Sequence, residues 1–354
     1  MDIENIIFSK KSNISNLKNM KIYAIYRVLY GEDFFKDSVE SLIKYCDRIF
    51  LFIHDRPWGN KFDVNIYGKN IKYPKYFDNC RKIAQELKDM YSNKIIIIND
   101  DELKDYIIPG YGVSNISTIA CGNSYLSFYN YIQKNYEQPN ILLTPELDVV
   151  MDNNVNDIIK EFLKTNKLYG YPKCKFFYGH PQYQFKYKKI YGVDNKIEQE
   201  LEGGRLGLQL VNCDLLDKIK LDSPHIKKFF FRVAYKMPLK EGVFLNYYCF
   251  NFGYCWNYKT MFWKLLVNLS QSNFDSPSDF QWYKEKYLTW TENTTNLEIA
   301  KGYFDNIPNT FKIDKNILPL SIQKRIDNNE FEYIFTKTTD DKKLEFEKWF
   351  NTLF

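Results

Sequence analysis

Beyond a polar stretch at residues 1–19, short apolar runs alternate with stretches whose apolar positions recur at helical spacing. The run MKIYAIYRVL from Met20 reads as a strand. In GEDFFKDSVESLIKYC, Phe34, Val39, Leu42 and Ile43 fall at helical spacing. RIFLFIH (48–54) is again strand-like and runs into Asp55. Phe77, Ile83, Ala84, Leu87 and Tyr91 mark a second helix, with Asp78 or Asn79 placed to cap it. KIIIIN (94–99) is β-branched and predicts a strand. A loop, IPGYGVSN, leads to a helix over 125–134, and NILLTPELDVVM (140–151) supplies the next strand. Val155, Ile158, Ile159, Phe162 and Leu163 then line one face of a further helix.

Strand followed by helix, repeated with near-continuously apolar strands, predicts a mostly parallel sheet covered by helices on both faces. The second half is less periodic. Residues 168–172 and 185–191 read as strands, and EGGRLGLQLVN (202–212) as a loop followed by a strand. Residues 257–269, 281–290 and the amphipathic tail 342–353 read as helices. The expected organisation is a polar arm at 1–19 and an α/β nucleotide-binding half at 20–165. An irregular acceptor-binding and catalytic half at 166–310 shares that domain, and a helical extension follows at 311–354.

Composition narrows the classes. Hydrophobic residues make up 45% of the 354, enough for a sizeable core. A formal charge of +5, with basic and acidic residues interleaved, gives no basic stripe for nucleic acid. The seven cysteines include no CxxC pair, which suits a reducing compartment and speaks against structural zinc; most read as small core residues. The N-terminus lacks an apolar signal core, and no run approaches the roughly 20 apolar residues that span a bilayer. The expected location is cytoplasmic, in a low-GC bacterium or in the host cell of a virus, and peripheral membrane contact stays open. Oligomeric state is not legible.

Open α/β sheets bind ligands at the carboxyl ends of their strands. Asp55, Asp100 and the pair Glu146/Asp148 fall at such ends. Carboxylates at i and i+2 on a strand point the same way, so Glu146 and Asp148 could face one Mg²⁺ or Mn²⁺ and a phosphate. Asp100-Asp101-Glu102 suits base or ribose contacts and equally suits an exposed turn. Gly203-Gly204 lets a loop approach a ligand closely, and Arg205 beside it could bind phosphate; a plain solvated turn is the alternative. Of the histidines, His54 reads as core, His180 as a loop residue and His225 as ordinary surface. Asp214 reads as a helix cap.

Residues 20–165 resemble the nucleotide-binding half of a GT-A fold glycosyltransferase of the broad family 2 group. AIYRVLYGEDFFKDSVESLIKYCDRIFLFIHD resembles that family's opening, and NILLTPELDVVM resembles its metal-binding strand. The resemblance puts Glu146 at the first motif acid, where the family usually has Asp, and Asp148 at the second. It makes Asp55 a contact to base or ribose, places Tyr26 and Arg27 where the nucleotide pocket begins, and sets Gly122-Asn123 near the donor. FNFGYCWNYKTMFWK (250–264) loosely resembles a family segment whose His assists metal or diphosphate. Here Asn251 is the nearest polar residue, Lys259 or Lys264 could face diphosphate, and Trp256 could stack on the donor. The resemblance implies transfer of a sugar from a nucleotide-sugar to a glycan or lipid-linked acceptor, with inversion and a divalent metal. Inversion needs a general base, for which Glu202, Asp222 and Glu241 are the candidates.

The main rival is a protein that kept this fold for binding or structure and lost the chemistry. A nucleotidyltransferase usually wants a Gly-rich basic loop after the first strand, and YRVLYGEDFF is neither. A glycoside hydrolase needs its two acids apart across a sugar. A dinucleotide enzyme needs GxGxxG after the first strand.

Overall fold

The computed structural model describes residues 19–29, 31–54, 63–66, 69–72, 78–106, 117–178, 180–185, 187–191, 197–201, 207–216, 242–255, 310–331, 344 and 348. In chain order the first half reads β1 (Ile22–Val28), α1 (Glu32–Ile43), β2 (Arg48–Ile53), β3 (Asp63–Ile66) and β4 (Lys69–Lys72). There follow α2 (Cys80–Met90), β5 (Ile95–Asn99), a 3₁₀ segment at Asp100–Tyr106, α3 (Ser117–Asn135), β6 (Ile141–Pro145), β7 (Val149–Val150) and α4 (Val155–Lys164). The second half adds β8 (Tyr169–Tyr178), β9 (His180–Phe185), β10 (Tyr187–Tyr191), β11 (Ile197–Leu201), β12 (Leu208–Asn212) and α5 (Cys213–Leu216). It closes with β13 (Gly242–Tyr254), β14 (Thr310–Lys312) and α6 (Leu320–Asp327).

The central α/β sheet expected from the sequence is present, flanked by helices and irregular at its edges. β5, β2, β1 and β6 lie side by side and run parallel. Beyond β6 the sheet becomes mixed: β12 pairs antiparallel with both β6 and β8, and β13 runs parallel to β8. β9 and β14 finish the edge, and β3–β4 and β10–β11 form separate hairpins.

The near-continuous apolar strands follow from cover on both faces. Ile22, Ala24, Tyr26 and Val28 of β1 pack with α1, α2 and α4, while Tyr23 and Ile25 pack with α3 on the other side. β2 divides in the same way, Ile49, Leu51 and Ile53 against Phe50 and Phe52. Side chains alternate along a strand, so both registers must be apolar when both faces are dry. A third cluster joins Phe34 of α1, Val150 of β7, Phe250 and Phe252 of β13 and Ile322 of α6.

Helix starts differ in detail from the sequence expectation. Asn79 occupies the cap position of α2 without a side-chain hydrogen bond. The Asp78 carboxylate instead accepts from Cys80 N (3.1 Å) and from Gly31 N (2.8 Å), tying the starts of α1 and α2 together. Gly31 has φ 121°, a conformation that favours glycine. Asp214 is not a cap. It is the second residue of α5, whose cap is Asn212, with Oδ1 accepting from Leu215 N at 3.3 Å. Asp214 accepts instead from Asn140 Nδ2 at 3.1 Å. The helices expected at 257–269 and 281–290 lie outside the described residues, as does almost all of the tail 342–353. No helix among the described residues is long and apolar enough to cross a membrane.

Candidate functional site

In the parallel block the chain order is interrupted once. β1 has β2 on one side and β6 on the other, so the connections leave it in opposite directions. Ligands of open α/β sheets bind outside the carboxyl ends at such a switch point. The carboxyl end of β6 continues directly into Glu146 and Asp148.

The two acids are not on the strand. β6 stops at Pro145, and strand pairing resumes only at Val149. Glu146 N donates to Gly207 O (3.0 Å), one residue beyond the Pro145–Leu208 pair, and Val149 N donates back to Glu146 O (3.2 Å), closing a turn over residues 146–149. The acids are therefore held by a turn at the end of β6 rather than by alternate positions of one continuous strand. Glu146 remains partly exposed, whereas Asp148 is 4% exposed.

Two neighbouring elements hold the turn. From below, Ser38 of α1 reaches Val149 O (2.5 Å) and Glu146 O (3.2 Å), with Tyr26 OH at 3.0 Å on its other side. Serine has one hydroxyl proton, so the chain runs Tyr26 O–H to Ser38 Oγ and Ser38 O–H to the turn carbonyls. From the side, β13 pairs Phe250 with Val150 and Asn251 with Val149, and Phe252 N donates to Asp148 O (2.9 Å). Gly253 N donates to Asn251 Oδ1 (2.9 Å), which orients the amide so that Nδ2 donates to Glu146 Oε2 (3.2 Å). The β13 register against β8 shifts between Asn251 and Tyr254, a bulge of the kind that re-aims side chains beside active sites.

Behind the turn, Cys174 of β8 and Cys249 of β13 stand opposite one another. Burial pushes the Cys174 thiol well above its usual pKa, and Cys249, Glu146 and Asp148 push it further the same way. The thiol therefore stays protonated next to the acids.

Along the same edge of the sheet, His54 follows β2 and Asp100 follows β5. Their Nδ1 and Oδ1 atoms lie 2.6 Å apart, and the His54 ring packs against Phe128 of α3. Arg27, near the end of β1, lies over the Tyr125 ring at 5.9 Å.

Of the residues expected from sequence, Glu146, Asp148 and Asn251 are brought together, and Asp100 and Arg27 lie at neighbouring strand ends. Tyr26 is a correction: its side chain is fully buried, its hydroxyl is engaged by Ser38, and burial raises its pKa. It supports the turn and does not open into a pocket. His180 is another. It begins β9 rather than sitting in a loop, it is 8% exposed, and its ring meets Phe331 and Tyr183. Burial, with Lys312 nearby, lowers its pKa to about 4, and Nδ1 accepts from Gln182 N at 3.1 Å. Asp55, Glu202, Arg205, Asp222, Glu241, Trp256, Lys259 and Lys264 lie outside the described residues. Asn123 lies in α3, its side chain outside them. Sequence reasoning missed Ser38, whose only signal was a hydroxyl on the apolar face of a helix, and Gly207, which the motif EGGRLG did not separate from its neighbours.

The donor set at the turn is oxygen-rich: two carboxylates with an amide alongside, the chemistry that Mg²⁺ and Mn²⁺ accept. Among the described residues no group of three or more His, Cys, Asp and Glu is arranged to hold a metal ion.

No protein-family model and no curated protein matches the chain. Solved structures give distant likenesses. One is residues 1–349 of TarS from S. aureus, at 11% identity and TM-score 0.34, covering 89% of this chain and 81% of that one. Another is glucosyl-3-phosphoglycerate synthase from Mycobacterium tuberculosis in complex with Mn²⁺, UDP and phosphoglyceric acid, at 9% identity and TM-score 0.38, covering 73% and 81%. A third is 4-diphosphocytidyl-2C-methyl-D-erythritol synthase from Anaerococcus prevotii, at 12% identity and TM-score 0.35, covering 70% and 96%. At such values the strand order and the acidic turn carry the functional reading, not the likenesses.

Proposed function

We propose that the protein is a glycosyltransferase of the GT-A type, resembling the family 2 group. It moves a sugar from a nucleotide-sugar to an acceptor hydroxyl on a glycan or lipid-linked glycan, with inversion and with a divalent cation. The observation that supports this most is the placement of Glu146 and Asp148 in a braced turn at the sheet's switch point.

Glu146 and Asp148 would hold Mn²⁺ or Mg²⁺, which when bound neutralises charge on the departing diphosphate. Asn251 fixes the Glu146 carboxylate, and Phe252 N fixes the backbone of Asp148. A preorganised carboxylate needs no rearrangement when charge arrives, which is where electrostatic catalysis gains. Asp100, with Arg27, Asp55, Asn123 and Trp256, belongs to the donor side of this proposal, and Arg205 and Lys259 to the diphosphate. Glu202, Asp222 and Glu241 remain the candidate bases.

A set of nucleotide-sugars incubated with the protein and Mn²⁺ should yield nucleoside diphosphate, and Asp148→Asn should cut that yield at least a hundredfold. Calorimetry should show nucleoside diphosphate binding that needs the cation. A binding or structural protein remains the second reading, because a turn held this firmly would also serve a scaffold. Cation-independent binding, or neither binding nor release with any donor, would decide for it.

A further inference from the structure

Directly behind the acidic turn lies a pair of thiols that sugar transfer does not use. Cys174 and Cys249 are paired residues on adjacent parallel strands. Neighbouring strands run about 4.8 Å apart, and paired residues project from the same face. That spacing falls inside the roughly 4.4–6.8 Å Cα separation of disulfides. Both side chains are buried among apolar neighbours, and the thiols lie in hydrogen-bonding contact. Gly207 covers them: a Cβ there would stand 2.9 Å from Cys249 Sγ and 3.0 Å from Cys174 Sγ. Its carbonyl accepts from Glu146 N, so the sulfurs are two contacts from the acids.

The other described cysteines have different surroundings. Cys80 Sγ donates to Asp78 Oδ2 (3.1 Å), and Cys213 Sγ to Val211 O (3.9 Å). Cys46 packs in the same core cluster but opposite no other cysteine, and Cys255 packs in the third cluster. In the described strand pairs, only positions 174 and 249 set one cysteine against another.

We propose that Cys174 and Cys249 form a dithiol modification site, oxidised by a hydroperoxide to a disulfide beneath Gly207. Two S–H bonds break and one S–S bond forms. Two electrons and two protons pass to the peroxide, whose O–O bond is cleaved; with hydrogen peroxide the products are two waters. Peroxide reacts with the thiolate, so the oxidation proceeds slowly, through transient opening of this buried floor; a small neutral oxidant is not repelled by the neighbouring carboxylates, and no second protein is required. Drawing the sulfurs together changes the floor under Gly207 and loosens its hold on Glu146 N. None of this depends on the glycosyltransferase reading.

The full chain, reduced and freed of reductant, is treated with hydrogen peroxide, blocked with N-ethylmaleimide in denaturant, and digested without reductant. The expected product is a peptide pair joined through 174 and 249, two hydrogens lighter than its separate parts and lost on adding dithiothreitol. The other five cysteines should carry maleimide. Cys174→Ser and Cys249→Ser should each abolish the link. Amide exchange over residues 141–151 should quicken several-fold in oxidised wild type and not in either variant. Recovery of 174 and 249 as separate blocked thiols, or as singly oxidised acids, from natively folded protein overturns the site. A link that leaves exchange at 141–151 unchanged overturns its coupling to the turn.

Discussion

At the scale of single residues, the acidic turn rests on groups that carry no charge. Ser38 takes one hydrogen bond from Tyr26 and gives its proton to the turn, inside a face that is otherwise apolar. Ser38→Ala leaves the Tyr26 hydroxyl buried without that partner, a loss of about 1–3 kcal/mol. Urea unfolding of the variant should show that loss as a lower midpoint with unchanged slope. Asn251→Ala frees the Glu146 carboxylate from one charge-assisted bond and takes the acceptor from Gly253 N, so it should weaken cation-dependent nucleotide binding about tenfold and lower the urea midpoint by a loss of about 1–3 kcal/mol. His180 gives a pH signature. Its folded pKa of about 4 lies below the ordinary 6.5, so the folded state holds the neutral ring. The stabilisation is full above pH 6.5 and is lost as pH falls through 4, on the order of 3 kcal/mol at most. Thermal melts across that window should fall for the wild type and flatten for His180→Phe.

At the scale of elements, the first half was legible because its strands and helices each carry one clear period. The strands at 22–28, 48–53 and 95–99 and the apolar stripes of α1 and α4 sit where the pattern put them. The turn at 146–149 was not legible. An apolar strand running into Glu-Leu-Asp looks continuous, and the turn is held by partners far away in sequence, Ser38 and Phe252. His180 was misread for a related reason, since its cover comes from Phe331 across the third cluster. α6 shows how such cover is fastened. Arg325 donates to Asp33 O (2.7 Å) and Asp37 Oδ2 (2.5 Å), and lies over Phe34 and Phe331 at 5.3 and 4.6 Å. Removing one member of a buried ion pair costs about 3–5 kcal/mol. With Arg325 side-chain exposure at 22%, Arg325→Ala should fall toward the low end, read as a loss of unfolding free energy. Gly207→Ala should destabilise too, because its Cβ meets two sulfurs that strand pairing holds in place.

At the scale of the whole molecule, one sheet receives strands from both halves of the chain, including β14 from beyond residue 309. The parallel block could be foreseen because βα alternation writes itself into the sequence. The mixed edge could not, because β8, β12 and β13 are ordered by long-range pairing rather than by local pattern. The third cluster also draws on both ends, with Phe34 stacked on Phe252 at 4.9 Å and on Phe331 at 5.7 Å. A chain ending at residue 309 should therefore expose these rings, with increased binding of a hydrophobic dye and a loss of cooperative melting. Unchanged melting would mean that this cluster contributes little to the folded state.

β13 is one long ribbon, bulged on its way, that is fastened to two places at once, to β8 along much of its length and to β7 beside the acids. A crossbeam of that kind keeps Asp148 at a fixed distance from the far edge of the sheet. In the proposed reaction the turn would serve as an anvil and not as a jaw, a fixed body against which donor and cation are set.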